Sequence, residues 1–442
     1  MHLFKRIVIH FLRFLVKSNF VTSLHLYVFF KTLGIRTRNQ NKLKISVINT
    51  QDLSGGAANI AYQLSKEIRK ELPLKLYVFS KFRVDDWIQK IPEYSSSLFY
   101  ELLKKHALAK GYIEFTGMHS ITLFQHLFFK DSSIVHIHNL HGEFLSPMLF
   151  EKLFKHKKVI WTLHDESFNT GHCSCTLGCE KWKTGCGDCP DLSIYPSVNF
   201  DNTKELLRLK KEILHKLNPI IVSPSYWLAE RVRIAYPKIS SIKVIPNGVD
   251  LSIFKLANKL DLRNKFNLKS DAKIVLFVAE FSTKNPFKGG EIIRDLLGDN
   301  TLKDITFITV GGVQPTLCQN HLVFPYVESQ TELAELYAMC DLMVYPTKAD
   351  NLPLVVLESM ACGTPVIASK IGGIPEIIKN NSLGYLVEDF NTYESFKANI
   401  EIHFNLASPA HSEMQKNCRM HIEQFFSKDQ MVSNYLELYK EC

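Results

Sequence analysis

Acidic residues are missing from the start of this chain: none precedes Asp52, while Lys5, Arg6, Arg13, Lys17, Lys31, Arg36, Arg38, Lys42 and Lys44 all do. These nine cations account for the whole formal net charge of +9, so the remainder is neutral and offers no general nucleic-acid-binding surface. No apolar run reaches the roughly 18 uncharged residues of a membrane-spanning helix. The basic N-terminus also lacks the small-residue cleavage site of a secretory signal, which makes the cytoplasm the expected compartment. Low-complexity tracts and short internal repeats are absent too, excluding a disordered chain and a solenoid.

What is present is an ordinary globular composition, 46% hydrophobic and 22% charged over 442 residues, enough for two domains with their own cores. Residues 1–42 form a basic extension. Within it Arg6, His10, Arg13 and Lys17 recur at helical spacing on one stripe, and Phe4, Ile7, Phe11, Phe14 and Leu15 fall on the opposite arc. Such a helix suits an anionic membrane surface, or else docks its apolar face on the protein itself.

From residue 43 short apolar strands alternate with helical stretches: KLKISVINT, LKLYVFS, SIVHIHNL, KVIWTLHD and PIIVSPS. The pattern restarts after SIKVIPNGVD, with KIVLFVAEF, ITFITVGG, LVFPYV, DLMVYPT and TPVIAS. This alternation predicts two doubly wound α/β domains with parallel sheets, over 43–250 and 251–425, followed by a C-terminal helix at 426–442 that packs back toward the N-terminal domain. Ligands in such sheets bind outside the carboxyl ends of the strands, so a cleft between the domains is the expected site.

The stretch ADNLPLVVLESMACGTPVIAS, residues 349–369, carries the most chemical information. Asn351 is placed to cap a helix with Pro353 in its first turn. The free N–H groups of a helix start bind an anion without a metal. Asp350 precedes that start and Glu358 lies about a turn and a half inside, so two carboxylates can meet hydroxyl groups of one ligand. Read by itself, the same spacing also describes a capped surface helix with two solvated acids.

Asp350 and Glu358 resemble the ExxxxxxxE motif of the family-4 retaining glycosyltransferases, with Asp in the first place. ACGTPVIAS and GGIPEII resemble the segments downstream of that motif in the family, and VIPNGVD, PSYWLAERV and GGAANIAYQL are similar to the family's other signposts, in order. The resemblance covers about residues 44 to 440. It implies two Rossmann-like domains facing across a cleft (the GT-B fold) and hexosyl transfer from a nucleotide-diphosphate-sugar to an acceptor hydroxyl with retained configuration. It places the donor on the C-terminal domain, with Glu358 on the ribose and Asp350 on the transferred sugar. Backbone N–H groups of Asn351, Leu352 and Leu354 would reach the diphosphate or sugar; Pro353 has none to give. Lys288 in NPFKGG matches the family's diphosphate lysine, whereas Glu280 stands where an arginine is usual and Lys284 is the nearest substitute. No two aspartates have the DxD spacing that holds a divalent ion in the other large glycosyltransferase fold, so no catalytic metal is expected.

On the N-terminal side, His164 in WTLHDES matches the family's histidine near the anomeric centre, expected to orient the donor sugar and stabilise positive charge on its ring. Gly55 and Gly56 make a tight turn that approaches the donor phosphates or the acceptor in the family. In HIHNLHG, alternation sets His136 and His138 on one strand face and leaves His141 in the loop. His138 and His141 are expected to line the acceptor side rather than bind metal.

Five of ten cysteines crowd into HCSCTLGCEKWKTGCGDC, residues 172–189, within an insertion at 170–192. The spacing of Cys173, Cys179, Cys186 and Cys189 allows a tetrahedral structural zinc, with Cys175 or His172 as substitute ligand and two disulfides as the alternative. Similar insertions mark a subgroup of these transferases associated with bacterial surface polysaccharides. The balanced charge of the loop argues against a nucleic-acid zinc module, and Pro190 directly after Cys189 argues against a thioredoxin-like relay. The expectation is thus a glycosyltransferase of capsule, O-antigen or exopolysaccharide synthesis, peripheral on the inner face of the plasma membrane and acting on a lipid-linked glycan. The alternatives are a catalytically silent transferase-like subunit, motivated by Glu280 and Asp350, and a sugar-nucleotide epimerase.

Overall fold

The computed structural model describes residues 43–93, 98–280, 282–285, 287–312, 316–318 and 320–442. The basic extension at 1–42 lies outside them. The chain divides into two compact units, one of the residues through Val222 with Arg231–Lys243, the other of Ser223–Glu230 with Val244–Glu441.

The first unit is built on strands β1 (Ile45–Gln51), β2 (Leu74–Ser80), β3 (Ile88–Lys90), β4 (Ile134–Ile137), β5 (Lys158–Thr162), β6 (Ile220–Ser223) and β7 (Ile242–Val244), in sheet order β3-β2-β1-β4-β5-β6-β7. Pairing from β3 through β6 is parallel. Central strands covered on both faces read as unbroken apolar runs, as the buried Ile45, Val47 and Ile48 of β1 show. Helix Gly56–Ile68 turns Ile60, Ala61, Leu64 and Ile68 inward at helical spacing.

The second unit repeats the plan with β8 (Lys273–Val278), β9 (Ile305–Gly312), β10 (Thr316–Cys318), β11 (His321–Pro325), β12 (Leu342–Tyr345), β13 (Val366–Ser369) and β14 (Gly384–Val387), in order β10-β11-β9-β8-β12-β13-β14. Only β10 runs antiparallel to its neighbour. Both units are therefore doubly wound α/β folds, as the alternation predicts. At the amino ends of β8 and β12, Arg263 fastens both: it donates to Asp341 at 2.8 and 2.9 Å and to the Met339 and Ser270 carbonyls, while Asp341 accepts from the Ile274 N–H.

Strand order reverses between β1 and β4 in the first sheet and between β8 and β12 in the second. A crevice at the carboxyl ends opens at such switch points. The candidate residues follow these strands: Gly55 after β1, His138 after β4, Glu280 after β8 and Asp350 after β12. Helix Lys428–Lys440, expected to return toward the N-terminal domain, groups with the second unit, where Lys428 pairs with Asp250 at 2.7 Å and the Gly248 N–H meets Met431 Sδ.

Candidate functional site

In the second unit the chain leaves β12 through a loop that ends at helix Leu354–Ala361. The helix N-cap is Pro353, not Asn351. Asn351 is instead held from three directions: its Oδ1 accepts the Ser225 hydroxyl at 2.6 Å, its carbonyl accepts the Gly373 N–H at 2.7 Å, and its own N–H donates to Asp350 Oδ1 at 3.0 Å. That last bond occupies the Asn351 N–H expected to reach the diphosphate. Asn247 Nδ2 secures the neighbouring Leu352 carbonyl at 3.1 Å. PSYWLAERV, VIPNGVD and GGIPEII thus converge on residues 350–352 as scaffolding. Gly372 is needed there, because a Cβ would stand 1.9 Å from the Asp350 carbonyl oxygen.

Asp350 Oδ2 receives both the Lys288 ammonium and the Tyr345 hydroxyl. Burial would lower the Lys288 pKa, but the facing carboxylate outweighs it and keeps the cation charged. Gly289, left-handed at φ 69°, lets this turn approach β12: a Cβ would lie 1.9 Å from the Pro346 carbonyl oxygen. The glycines beside Lys288 therefore serve close packing within the unit. Glu280 and Lys284 are exposed, and Asn285 Nδ2 bonds the Glu280 carbonyl.

Helix Leu354–Ala361 starts with no side-chain cap and no acid in its first turn, leaving N–H groups that precede any intrahelical acceptor. Glu358, half-buried on this helix, accepts the Tyr337 hydroxyl at 3.2 Å. Burial pushes its carboxyl up to about 7, and the Tyr337 bond opposes this only in part. Tyr345 and Tyr337 were not anticipated from sequence; the one available signal is that Tyr345 closes a strand just before the motif.

In the first unit, β4 and β5 end side by side, and His138 Nδ1 meets His164 Nε2 at 3.0 Å. His138 Nε2 is buried without a partner. Burial lowers His164 to about 4, which leaves it a neutral imidazole. His136 is internal, bonded to Thr162 at 2.7 Å. His141 has no ring nitrogen left for an acceptor: Nε2 lies 2.8 Å from Asp165 and Nδ1 3.0 Å from Glu114. Glu114 and Lys210, 3.5 Å apart, complete a buried polar row that no sequence motif marks. His138, His141, His164, Asp165, Glu114 and Lys210 line one cavity of about 60 Å³ with Trp161 and Phe168. Gly55, left-handed at φ 84°, caps helix Gly56–Ile68 with open space above it.

Cys173, Cys179, Cys186 and Cys189 face one small cavity with His172, and all four are free thiols. Three of them have a local partner. Cys189 lies 3.5 Å from both His172 Nε2 and the Asp191 carbonyl, Cys186 bonds the Gly171 backbone and Cys173 the Thr170 side chain. Burial pushes the Cys173 thiol up to about 12. Among the described residues no group of three or more His, Cys, Asp or Glu is placed to hold a metal ion.

Residues 258–420 match the model of the glycosyl transferases group 1 family. That match lies within the second unit. The chain resembles WcaC of Escherichia coli K12, assigned to colanic acid biosynthesis as a glycosyl transferase, with 28% identity over 260 residues, 56% of this chain and 62% of that one. An Escherichia coli UDP-Gal:α-D-GlcNAc-diphosphoundecaprenol α-1,3-galactosyltransferase is 29% identical over 214 residues, 45% of this chain and 54% of that one. The matched stretches span less than two thirds of both relatives. Among solved structures, sucrose-phosphate synthase of Thermosynechococcus elongatus superposes with a TM-score of 0.65 at 18% identity, covering 90% of this chain and 99% of its own. Anabaena HepE with UDP and glucose gives 0.61 at 16% identity, covering 90% and 100%. At such identities the likeness is one of fold, two parallel-sheet α/β units of the GT-B kind.

Proposed function

We propose that this protein is a retaining glycosyltransferase that moves a sugar from a nucleotide-diphosphate-sugar to a hydroxyl of a lipid-linked glycan during bacterial polysaccharide synthesis. The observation that carries this reading is the Lys288–Asp350 pair beside the uncapped start of helix Leu354–Ala361, with Glu358 farther along the same helix. Lys288 and the helix N–H groups supply positive charge where the leaving diphosphate develops negative charge, the largest electrostatic demand of the transfer, without requiring a metal. Asp350 and Glu358 accept hydroxyls of the sugar and the ribose. In the first unit, neutral His164 and the Gly55–Gly56 turn offer hydrogen bonds rather than charge. The basic segment 1–42 brings the enzyme to the anionic inner membrane surface where a lipid-linked acceptor resides.

The test is a thermal-shift screen of the full chain against UDP, GDP, ADP, CMP and their sugar conjugates, repeated with Lys288→Ala. One diphosphate series is expected to stabilise the wild type, by about 2.7 kcal/mol at a hundredfold excess over Kd, with the gain lost in the variant. Incubation of the same donors with acceptor must then release nucleoside diphosphate. Binding without release would favour the silent-subunit reading motivated by Glu280. Conversion of donor without acceptor would favour the epimerase, and no shift in folded protein overturns the donor site.

A further inference from the structure

His141 is the centre of the buried polar row in the first unit. Asp165 and Glu114 are acceptors only when ionised, and each faces one ring nitrogen of His141, at 2.8 and 3.0 Å. A ring flanked by two carboxylates must donate from both nitrogens, which makes it an imidazolium by hydrogen-bond count alone. Glu114 is held in the left-handed region at φ 67°, an arrangement that persists only where surroundings enforce it. The enforcement is visible: Glu114 also faces Lys210 at 3.5 Å, and Lys210 in turn donates to the Ser167 and Thr170 carbonyls at 3.0 and 3.3 Å.

The row ends at the residue next to His164. Asp165 Oδ1 accepts the Ser167 N–H at 2.9 Å, closing the turn after His164, and Oδ2 is anchored by His141. From the other side, His138 Nδ1 engages His164 Nε2 at 3.0 Å, so only Nδ1 of His164 is left to meet a ligand. The imidazolium of His141 also neutralises the carboxylate beside His164. Without it, the unbalanced Asp165 would draw a proton onto His164. The groups facing His141 are Asp165, Glu114 and the Tyr195 ring, 5.3 Å away edge-on, with Lys210 behind Glu114.

We propose that His141 is a positioning residue: bridging Glu114 and Asp165 as a fixed cation, it locks the Asp165 turn so that His164 stays neutral and presents Nδ1 to the substrate. The role rests on the transferase reading for its effect on turnover, but not for the state of the rings. Long-range ¹H–¹⁵N spectra of the full-length wild type at pH 8 should show one doubly protonated imidazole, absent in His141→Gln, and a neutral His164 whose bonded nitrogen is Nε2. In His141→Gln, His164 should titrate at a higher pH than in the wild type, reversed by the added Asp165→Asn. Turnover of His141→Gln should fall about 10- to 100-fold with donor KM little changed, and its acidic limb should move upward in pH. Absence of an imidazolium at pH 8 in the wild type overturns the proposal whether or not the protein transfers sugar. So does a His141→Gln enzyme with an unaltered pH profile. Loss of activity in His164→Ala is the separate check on the transferase reading.

Discussion

Asp350→Ala should reduce sugar transfer about 100- to 1000-fold with the second unit still folded, the scale reached when a preorganised polar contact to the reacting group is removed. Asp350 is the meeting point of the loop: Lys288 and Tyr345 converge on one carboxylate oxygen, and the Asn351 N–H occupies the other. Removing it deletes the acceptor for the sugar hydroxyls and leaves a half-buried ammonium without its counter-charge. Asp350→Asn separates the two effects, since it keeps the volume and one acceptor while losing the charge. Initial rates of nucleoside diphosphate release, with melting followed by circular dichroism, would read both variants. A folded Asp350→Ala protein with unchanged turnover would move the sugar site elsewhere.

Glu358→Ala should weaken donor binding about 100-fold, because a carboxylate accepting two ribose hydroxyls contributes roughly 1.5–3 kcal/mol per charge-assisted bond. The wild type should also bind its nucleotide sugar more tightly as pH rises from 6 to 8. Burial has lifted this carboxyl to about 7, and only the ionised form accepts both hydroxyls, so binding near neutrality must release a proton. The same shift acts oppositely on folding: a carboxyl raised above its ordinary value favours the folded state most at acidic pH, and that contribution is lost as pH climbs from the ordinary carboxylate range through about 7. Calorimetry of the intact nucleotide sugar at pH 7, in buffers of different ionisation enthalpy, counts the proton. Glu358→Gln should abolish the release. Equal affinity and no released proton in the wild type would remove Glu358 from the ribose.

The apolar runs of the ten central strands, the restart near residue 250 and the local spacing of Asp350 and Glu358 are legible because each is short-range. A strand buried on both faces needs a continuous apolar run, and a helix start declares itself within one turn. β3, β7, β10 and β14 escaped because they are the edges of the two sheets and only three or four residues long. The tertiary structure alone decided what the motif residues do. Ser225 and Asn247 reach the Asp350 loop across 126 and 105 residues, and Glu114 reaches His141 across 27. Spacing likewise left zinc and disulfides open for the cysteines, and only the fold shows the neighbours of Cys173, Cys186 and Cys189. A residue type states how many hydrogen bonds a side chain can make. Which partners take them, and so whether a histidine is a neutral imidazole like His164 or sits between two carboxylates like His141, depends on contacts between strand ends that no local pattern encodes.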